Sequence, residues 1–526
     1  MLLGSKLYFT MLLVVILLLL DFASAGRVLW GIGQRAHENA WQRARRTVGR
    51  VGGGVLQQPL DHYDRSRDDT FPQKFFVNEA FWKRPDGPVF LYIGGEGPLS
   101  EFSVLYGHHV DMAVMHGALL VALEHRFYGS SIKPKGLETE NLSDLSSQQA
   151  LADLAEFHQH ISSRYDLSPW NTWISFGGSY AGALSAWLRG KFPHLFYGAV
   201  ASSAPVRAQL DFSAYNRVVA QSLTDESVGG SDKCLSAVSE AFAAVVAVLK
   251  AGNETRVRKD FTCCETPRSP DDQVEFVRSL ADIVMGTVQY NEVGAPISIA
   301  AICTLMTSKN TAHEEPEGSY SRLVKLVEVY QAVMGRSCLD VSRARTIAEL
   351  RNTSDSVAQS GYRQWFYQTC TEFGFFQTCE DSSCPFSSIP GWTLSLEAEL
   401  CTQLFGIPPK ILFNNIAFTN RYYGDIHPRS CRVLYVNGVI DPWSKLSIVH
   451  NSSAVDRSRA IVVRDTAHCA DMNSAHVTDR PTLRLAKEVS LFTFQISFCI
   501  LFVLYLEANG FRPHPRPLRN DNYVCS

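Results

Sequence analysis

The sequence predicts an α/β protein, a mostly parallel, doubly wound sheet interrupted by a large helical insertion. Three observations carry this expectation. Short apolar runs alternate with an amphipathic helical pattern over residues 56–205. Helical periodicity alone fills 206–425, and strand-like runs return over 426–488. Apolar strands alternating with helices imply βαβ units, whose central strands are covered on both faces.

The first part supplies four runs. Val89–Ile93 ends in Gly94-Gly95, Ala118–Leu123 ends in Glu124-His125-Arg126, and Trp173–Phe176 ends in Gly177-Gly178. Ala199–Ala201 is the fourth. Between the second and third, Leu151, Leu154, Phe157 and Ile161 recur at helical spacing behind Ser147, the candidate N-cap. In the insertion, Cys234–Lys250, Val274–Tyr290 and Tyr320–Met334 read as long helices. Arg432–Val436 and Ala460–Val463 read as the last strands of the first sheet.

Composition bounds the class. The chain has 526 residues, 46% apolar and 11% aromatic, too apolar for a disordered protein and long enough for a large core. Its net charge is −3, with no basic stripe, which argues against a nucleic-acid partner. The 13 cysteines contain no CxxC, so neither a metal nor a cofactor is expected. Eight of them lie between 234 and 384, followed by Cys401, which reads as a disulfide-stapled insertion of open connectivity.

The ends set the compartment. Lys6, the unbroken apolar run Met11–Leu20 and Ala23-Ser24-Ala25 form a signal peptide over 1–25. Asn141, Asn253, Asn352 and Asn451 are glycosylation sequons, in agreement with an oxidised, secretory-pathway protein. Residues 26–55, basic and then Gly-rich, read as a flexible mature N-terminus. In the tail, 489–526, the apolar stretch Leu491–Leu506 is shorter than the roughly 20 residues a bilayer needs. A membrane anchor is therefore not the expectation, and oligomeric state is open.

The sharpest chemical motif is Gly177-Gly178-Ser179-Tyr180-Ala181-Gly182, between a strand and a helix. A serine at the apex of a strand–turn–helix needs small neighbours, and this is the nucleophile elbow of an α/β-hydrolase. Serine is a weak nucleophile without a histidine held by a carboxylate. In hydrolase order the acid and then the histidine follow the serine. Asp441, after the strand ending at Val436, and His468, after the strand ending at Val463, meet that order. His125, His158, His160, His108 and His109 precede Ser179 and read as structural. The oxyanion hole falls to the Tyr180 N–H and the loop bearing Gly94 and Gly95. A lipase or esterase would use the same triad, and a silent hydrolase fold used for binding is the remaining alternative.

These segments resemble the prolyl carboxypeptidase and dipeptidyl peptidase II family of serine peptidases. The resembling motifs are Gln58–Tyr63, Thr70–Phe75, Gly94–Gly97, Glu124–Gly129, Ser147–Asp153, Gly177–Tyr180, Asp441–Trp443 and Ala467-His468. Phe192–His194, Val200–Val206 and Gln364–Gly374 resemble one branch of it. The resemblance implies an α/β-hydrolase core with a helical cap inserted before the acid. It also implies the triad Ser179, Asp441 and His468, and short peptides as substrates. Trp443 would line a proline-accepting pocket, with Glu96 and Trp365 as further substrate contacts. Relatives act in lysosomes or endosomes, or are secreted. Cys469 and Ser444-Lys445-Leu446 depart from the prolyl-cleaving pattern, so proline preference and cleavage mode stay open.

Overall fold

The computed structural model describes residues 28, 29, 31, 32, 35, 51–293, 295, 297–308, 317–354, 359–386, 391–428, 430–450 and 459–490. Ten strands occur among them: β1 (Gly52–Pro59), β2 (Thr70–Asn78), β3 (Val89–Ile93), β4 (Leu119–Leu123), β5 (Trp173–Gly178), β6 (Gly198–Ser202), β7 (Gln209–Asp211), β8 (Gly374–Phe376), β9 (Val433–Gly438) and β10 (Arg459–Val463). Eight form one sheet in the order β1-β2-β4-β3-β5-β6-β9-β10, and β7 and β8 pair separately. From β4 to β10 every pairing is parallel, while β1–β2 and β2–β4 are antiparallel.

Alternation along the strands builds two cores. Val89, Leu91, Leu119 and Val121 face the helix Ser147–Arg164 through Leu151, Leu154, Phe157 and Ile161. Phe90, Leu120, Ala122, Ile174 and Phe176 face the helix His108–His116 on the other side. Burial on both faces explains why the strands read as unbroken apolar runs. The N-cap of the first helix is Ser146, whose side chain accepts from Gln149 N–H. Ser147 is instead the first helical residue.

Helices from Ala214 to Tyr423 stand between β6 and β9 and form a cap. Its central helix, Pro270–Gln289, is buried at every position from Glu275 to Gln289. Two of its buried charges are paired inside, Arg278 with Glu397 and Glu275 with Arg343, and Glu275 also accepts from Thr346 Oγ1–H. Four disulfides close the cap on itself, Cys234–Cys303, Cys264–Cys338, Cys370–Cys401 and Cys379–Cys384. The first two span 69 and 74 residues, loops whose closure removes about 4 kcal/mol of unfolded-chain entropy each in the chain-entropy account. Cys263 and Cys469 are free thiols.

The expected flexible N-terminus is corrected at two places. Gly52–Gly54 already belong to β1, paired with Val77–Phe75. A Cβ on Gly54 would lie 2.6 Å from the Phe75 ring, so glycine there makes room for an aromatic ring rather than a linker. Further upstream, Ile32 is fully buried against Gly286 of the central cap helix.

One buried ion pair ties the edge hairpin to the core. Arg126 Nε and Nη2 each donate to Asp153 at 2.7 Å, with both side chains fully buried. The remaining guanidinium donors reach the carbonyls of Leu60, Asp144 and Pro59. His62 approaches the same carboxylate at 2.7 Å. Burial alone would raise the Asp153 carboxyl, but Arg126 and His62 outweigh it and hold it below the usual range. The resulting stabilisation is present above the unfolded carboxyl pKa and lost as pH falls through the folded one. Asp153→Ala leaves the guanidinium buried without its partner, and it should cost about 3–5 kcal/mol in urea denaturation. Lys325→Ala breaks an exposed pair with Glu328 and should cost less than about 1 kcal/mol.

Candidate active site

β5 ends in a turn that only small residues can make. A Cβ on Gly177 would lie 2.1 Å from the Ala181 carbonyl oxygen, and one on Gly182 would lie 2.7 Å from that of Ser202. Ser179 itself has φ 57° and ψ −129°, a region costly for a residue with a side chain. Two bonds hold it there: Ser179 N–H to Ser202 O at 2.9 Å, and Ala183 N–H to Ser179 O at 3.0 Å, which starts the helix Tyr180–Lys191. Ala181 is admitted because its Cβ faces Gly95, where even an added Cβ would make ordinary contact at 3.5 Å.

Asp441 and His468 come from the loops after β9 and β10. Gly438 seats these loops together, since a Cβ on it would lie 2.0 Å from Thr466 O. His468 Nδ1 donates to Asp441 Oδ1 at 2.9 Å, and the same oxygen accepts Trp443 N–H at 3.0 Å. Both side chains are buried. Burial would lower the imidazole, but the Asp441 carboxylate and the Cys469 sulfur outweigh it, so the His468 pKa lies well above its ordinary value.

The serine and histidine loops meet across Ser202 and Ser203. Ser202 O accepts from Ser179, and Ser203 Oγ accepts Cys469 N–H at 2.9 Å. Ser202 Oγ donates to the buried Asp471. Cys469, partly exposed and in the left-handed region at φ 55°, lies against the elbow, with its Sγ 3.0 Å from where a Gly178 Cβ would stand.

The loop after β3 closes the other side. Gly94 N–H bonds Leu123 O at 2.9 Å, and a Cβ there would meet that carbonyl at 2.7 Å. The buried Glu124 carboxylate pins the loop's far end, accepting Leu99 N–H at 2.8 Å, Ser130 N–H at 3.0 Å and Ser131 Oγ–H at 2.6 Å. Glu96 is partly exposed, and its poorly solvated surroundings raise its carboxyl, with His468 opposing.

Aromatic rings run from the elbow to the histidine. Tyr180 meets Trp365 at 5.6 Å and Trp365 meets Phe375 at 6.3 Å. Phe375 meets Trp443 at 5.2 Å, and Trp443 meets His468 at 6.3 Å. The expected substrate contacts Trp365 and Trp443 therefore belong to one wall beside the site. Sequence reasoning missed Gln289, the last residue of the central cap helix. Its side-chain oxygen accepts Trp443 Nε1–H at 2.9 Å and Tyr215 O–H at 2.6 Å, and its carbonyl accepts His468 N–H at 2.9 Å. No motif marks it. Ser202 and Ser203, by contrast, lie inside the motif Val200–Val206.

Away from the site, Asn253 and Asn352 are exposed, Asn141 is half-buried with its Nδ2 donating to Lys135 O, and Asn451 lies outside the described residues. Among the described residues no group of three or more His, Cys, Asp or Glu side chains is arranged to hold a metal ion. No described helix is long and apolar enough to cross a membrane.

Residues 58–490 match the family described as serine carboxypeptidase S28. The chain is 44% identical over 440 residues to the thymus-specific serine protease of Mus musculus, covering 83% of this chain and 85% of that protein. Against the thymus-specific serine protease of Homo sapiens it is 43% identical, with 83% and 84% covered. The lysosomal Pro-X carboxypeptidase of Bos taurus is 26% identical over 450 residues, with 83% and 86% covered. The chain thus belongs to the S28 family and is a serine-type peptidase built on an α/β-hydrolase core.

Proposed function

We propose that this peptidase cleaves peptides through Ser179, His468 and Asp441 by an acyl-enzyme route. The observation that carries this reading is the 2.9 Å Nδ1–Oδ1 bond between His468 and Asp441. It fixes the tautomer that leaves Nε2 free to accept a proton. His468 takes the Ser179 proton as Oγ attacks the scissile carbonyl, and then gives it to the leaving amine. Water repeats the sequence to release the acyl group. The Tyr180 N–H and the Gly95 N–H receive the developing oxyanion; the expected Gly94 donor is corrected, because its N–H is spent on Leu123 O.

The aromatic wall favours an apolar or proline side chain at the cleaved residue, and Glu96 stands as a polar contact beside it. The cap above the site favours short peptides entering by one end. Four cap disulfides and the N-terminal signal-like segment support residence in the secretory pathway, in lysosomes or endosomes or after secretion.

A fluorophosphonate probe should label the parent chain at Ser179 and leave Ser179→Ala unlabelled. Equal labelling of the two would overturn the assignment. Peptides blocked at either end then separate carboxypeptidase, dipeptidyl peptidase and endopeptidase modes.

The Asp441–His468 pair sets the pH response. The Asp441 carboxylate favours the protonated imidazole, so activity rises with pH as His468 loses that proton. By linkage, the stability gained from the imidazolium is full below the ordinary histidine pKa and is lost as pH rises through the folded value. Asp441→Asn should lower kcat by roughly 10⁴-fold. It should also move the acidic limb of the kcat/KM profile to lower pH. An unmoved limb would assign that titration to another group.

A further inference from the structure

The motif Gln364–Gly374 belongs to the cap, yet its polar side chains end on the core. The helix Tyr362–Gln368 runs into a π-helical turn, Thr369–Phe373, a geometry found often at functional sites. Gln368, fully buried, points at Tyr180, the residue after Ser179. Its Nε2 donates to Tyr180 Oη at 3.0 Å and to Glu372 Oε2 at 3.0 Å, and its Oε1 accepts Tyr128 O–H at 2.7 Å.

Tyr180 passes the chain onward. Its hydroxyl lies 2.9 Å from His125 Nε2, and His125 Nδ1 lies 2.7 Å from the Arg126 carbonyl oxygen. A carbonyl only accepts, so Nδ1 carries the hydrogen, Nε2 accepts, and the Tyr180 hydroxyl donates. Every hydrogen-bonding group of the Gln368 amide is then used, and the Tyr180 hydroxyl both accepts and donates. A buried network satisfied in this way fixes one arrangement. Tyr180 is the first residue of its helix, and its side chain is joined through a single Cα to the N–H assigned to the oxyanion.

We propose that Gln368 is a positioning residue for catalysis: by holding the Tyr180 hydroxyl against His125, it orients the Tyr180 N–H that receives the oxyanion. The inference rests on the triad reading. It makes cap seating a condition of catalytic competence, since the amide reaches Tyr180 only when the cap is docked.

The test uses the full chain and a fluorophosphonate, whose phosphoryl oxygen enters the oxyanion hole as Ser179 Oγ bonds phosphorus and fluoride leaves. Inactivation kinetics separate probe binding, KI, from reaction, kinact. Gln368→Met and Tyr180→Phe should each lower kinact roughly 10- to 100-fold with KI within about threefold. The double variant should be no worse than the more affected single within about threefold, because both break one network. Gln364→Met is the structural control, since it removes another buried cap–core bond from the same helix, Nε2 to Phe127 O at 2.9 Å. It should lower the thermal midpoint while leaving kinact within about twofold of the parent. Equal kinact losses in Gln364→Met and Gln368→Met, additive losses in the double variant, or a loss confined to KI would overturn the positioning role. A parent that does not label at Ser179 overturns the triad reading and this inference with it. A labelling parent with an unchanged Gln368→Met overturns the inference alone.

Discussion

The Arg126–Asp153 ion pair is the constraint on which the site's frame depends. A guanidinium with no exposure is tolerated only when all its donors are used, and here they are shared among the β1–β2 hairpin, the turn before the helix Ser147–Arg164 and that helix itself. The pair therefore fixes three segments that are distant in sequence. Arg126 is also one residue from His125, which holds Tyr180, and two from Glu124, which holds the Gly94–Leu99 loop. The motif Glu124–Gly129 is thus a junction: one side chain for each wall of the site, and Gly129 because a Cβ there would lie 2.2 Å from Glu124 Oε1.

The cap completes what the sheet begins. Gln289 bridges the Trp443 indole to the His468 backbone, and Glu372 accepts from both the N–H and the hydroxyl of Ser147, at the positive end of a core helix. Burial raises the Glu372 carboxyl, and the bonds from Ser147 and Gln368 work against that rise. Ser179, Asp441 and His468 all stand on the sheet, while the aromatic wall beside them is shared, Trp365 and Phe375 from the cap and Tyr180 and Trp443 from the core.

Much of this was legible as sequence. The parallel strands are apolar on both faces and announce themselves as runs. The elbow and the two strand-end residues Asp441 and His468 follow from local chemistry and chain order. The start of the edge hairpin was not legible, because Gly52–Gly54 behind a basic stretch imitate a linker. Their reason to be strand lies in Phe75, far along the chain. Gln289 was invisible for a related reason. It ends a helix whose periodicity explains it as packing, and its role exists only where cap meets core. Ser147 was misread as a cap because Ser146 and Ser147 are equivalent until Glu372 is seen to accept from the second.

The placement of the disulfides has a mechanical consequence. Each of the four described bridges begins and ends in the cap. The cap is covalently braced within itself, but it is seated on the sheet by hydrogen bonds, ion pairs and ring contacts. It can therefore lift as a unit without breaking any of these bridges. In a reducing vesicle the lid would lose this internal bracing, while the sheet beneath it carries none of these four bridges to lose. Thiol chemistry in the compartment would then govern how long the peptidase survives there, acting on a layer that never touches the scissile bond.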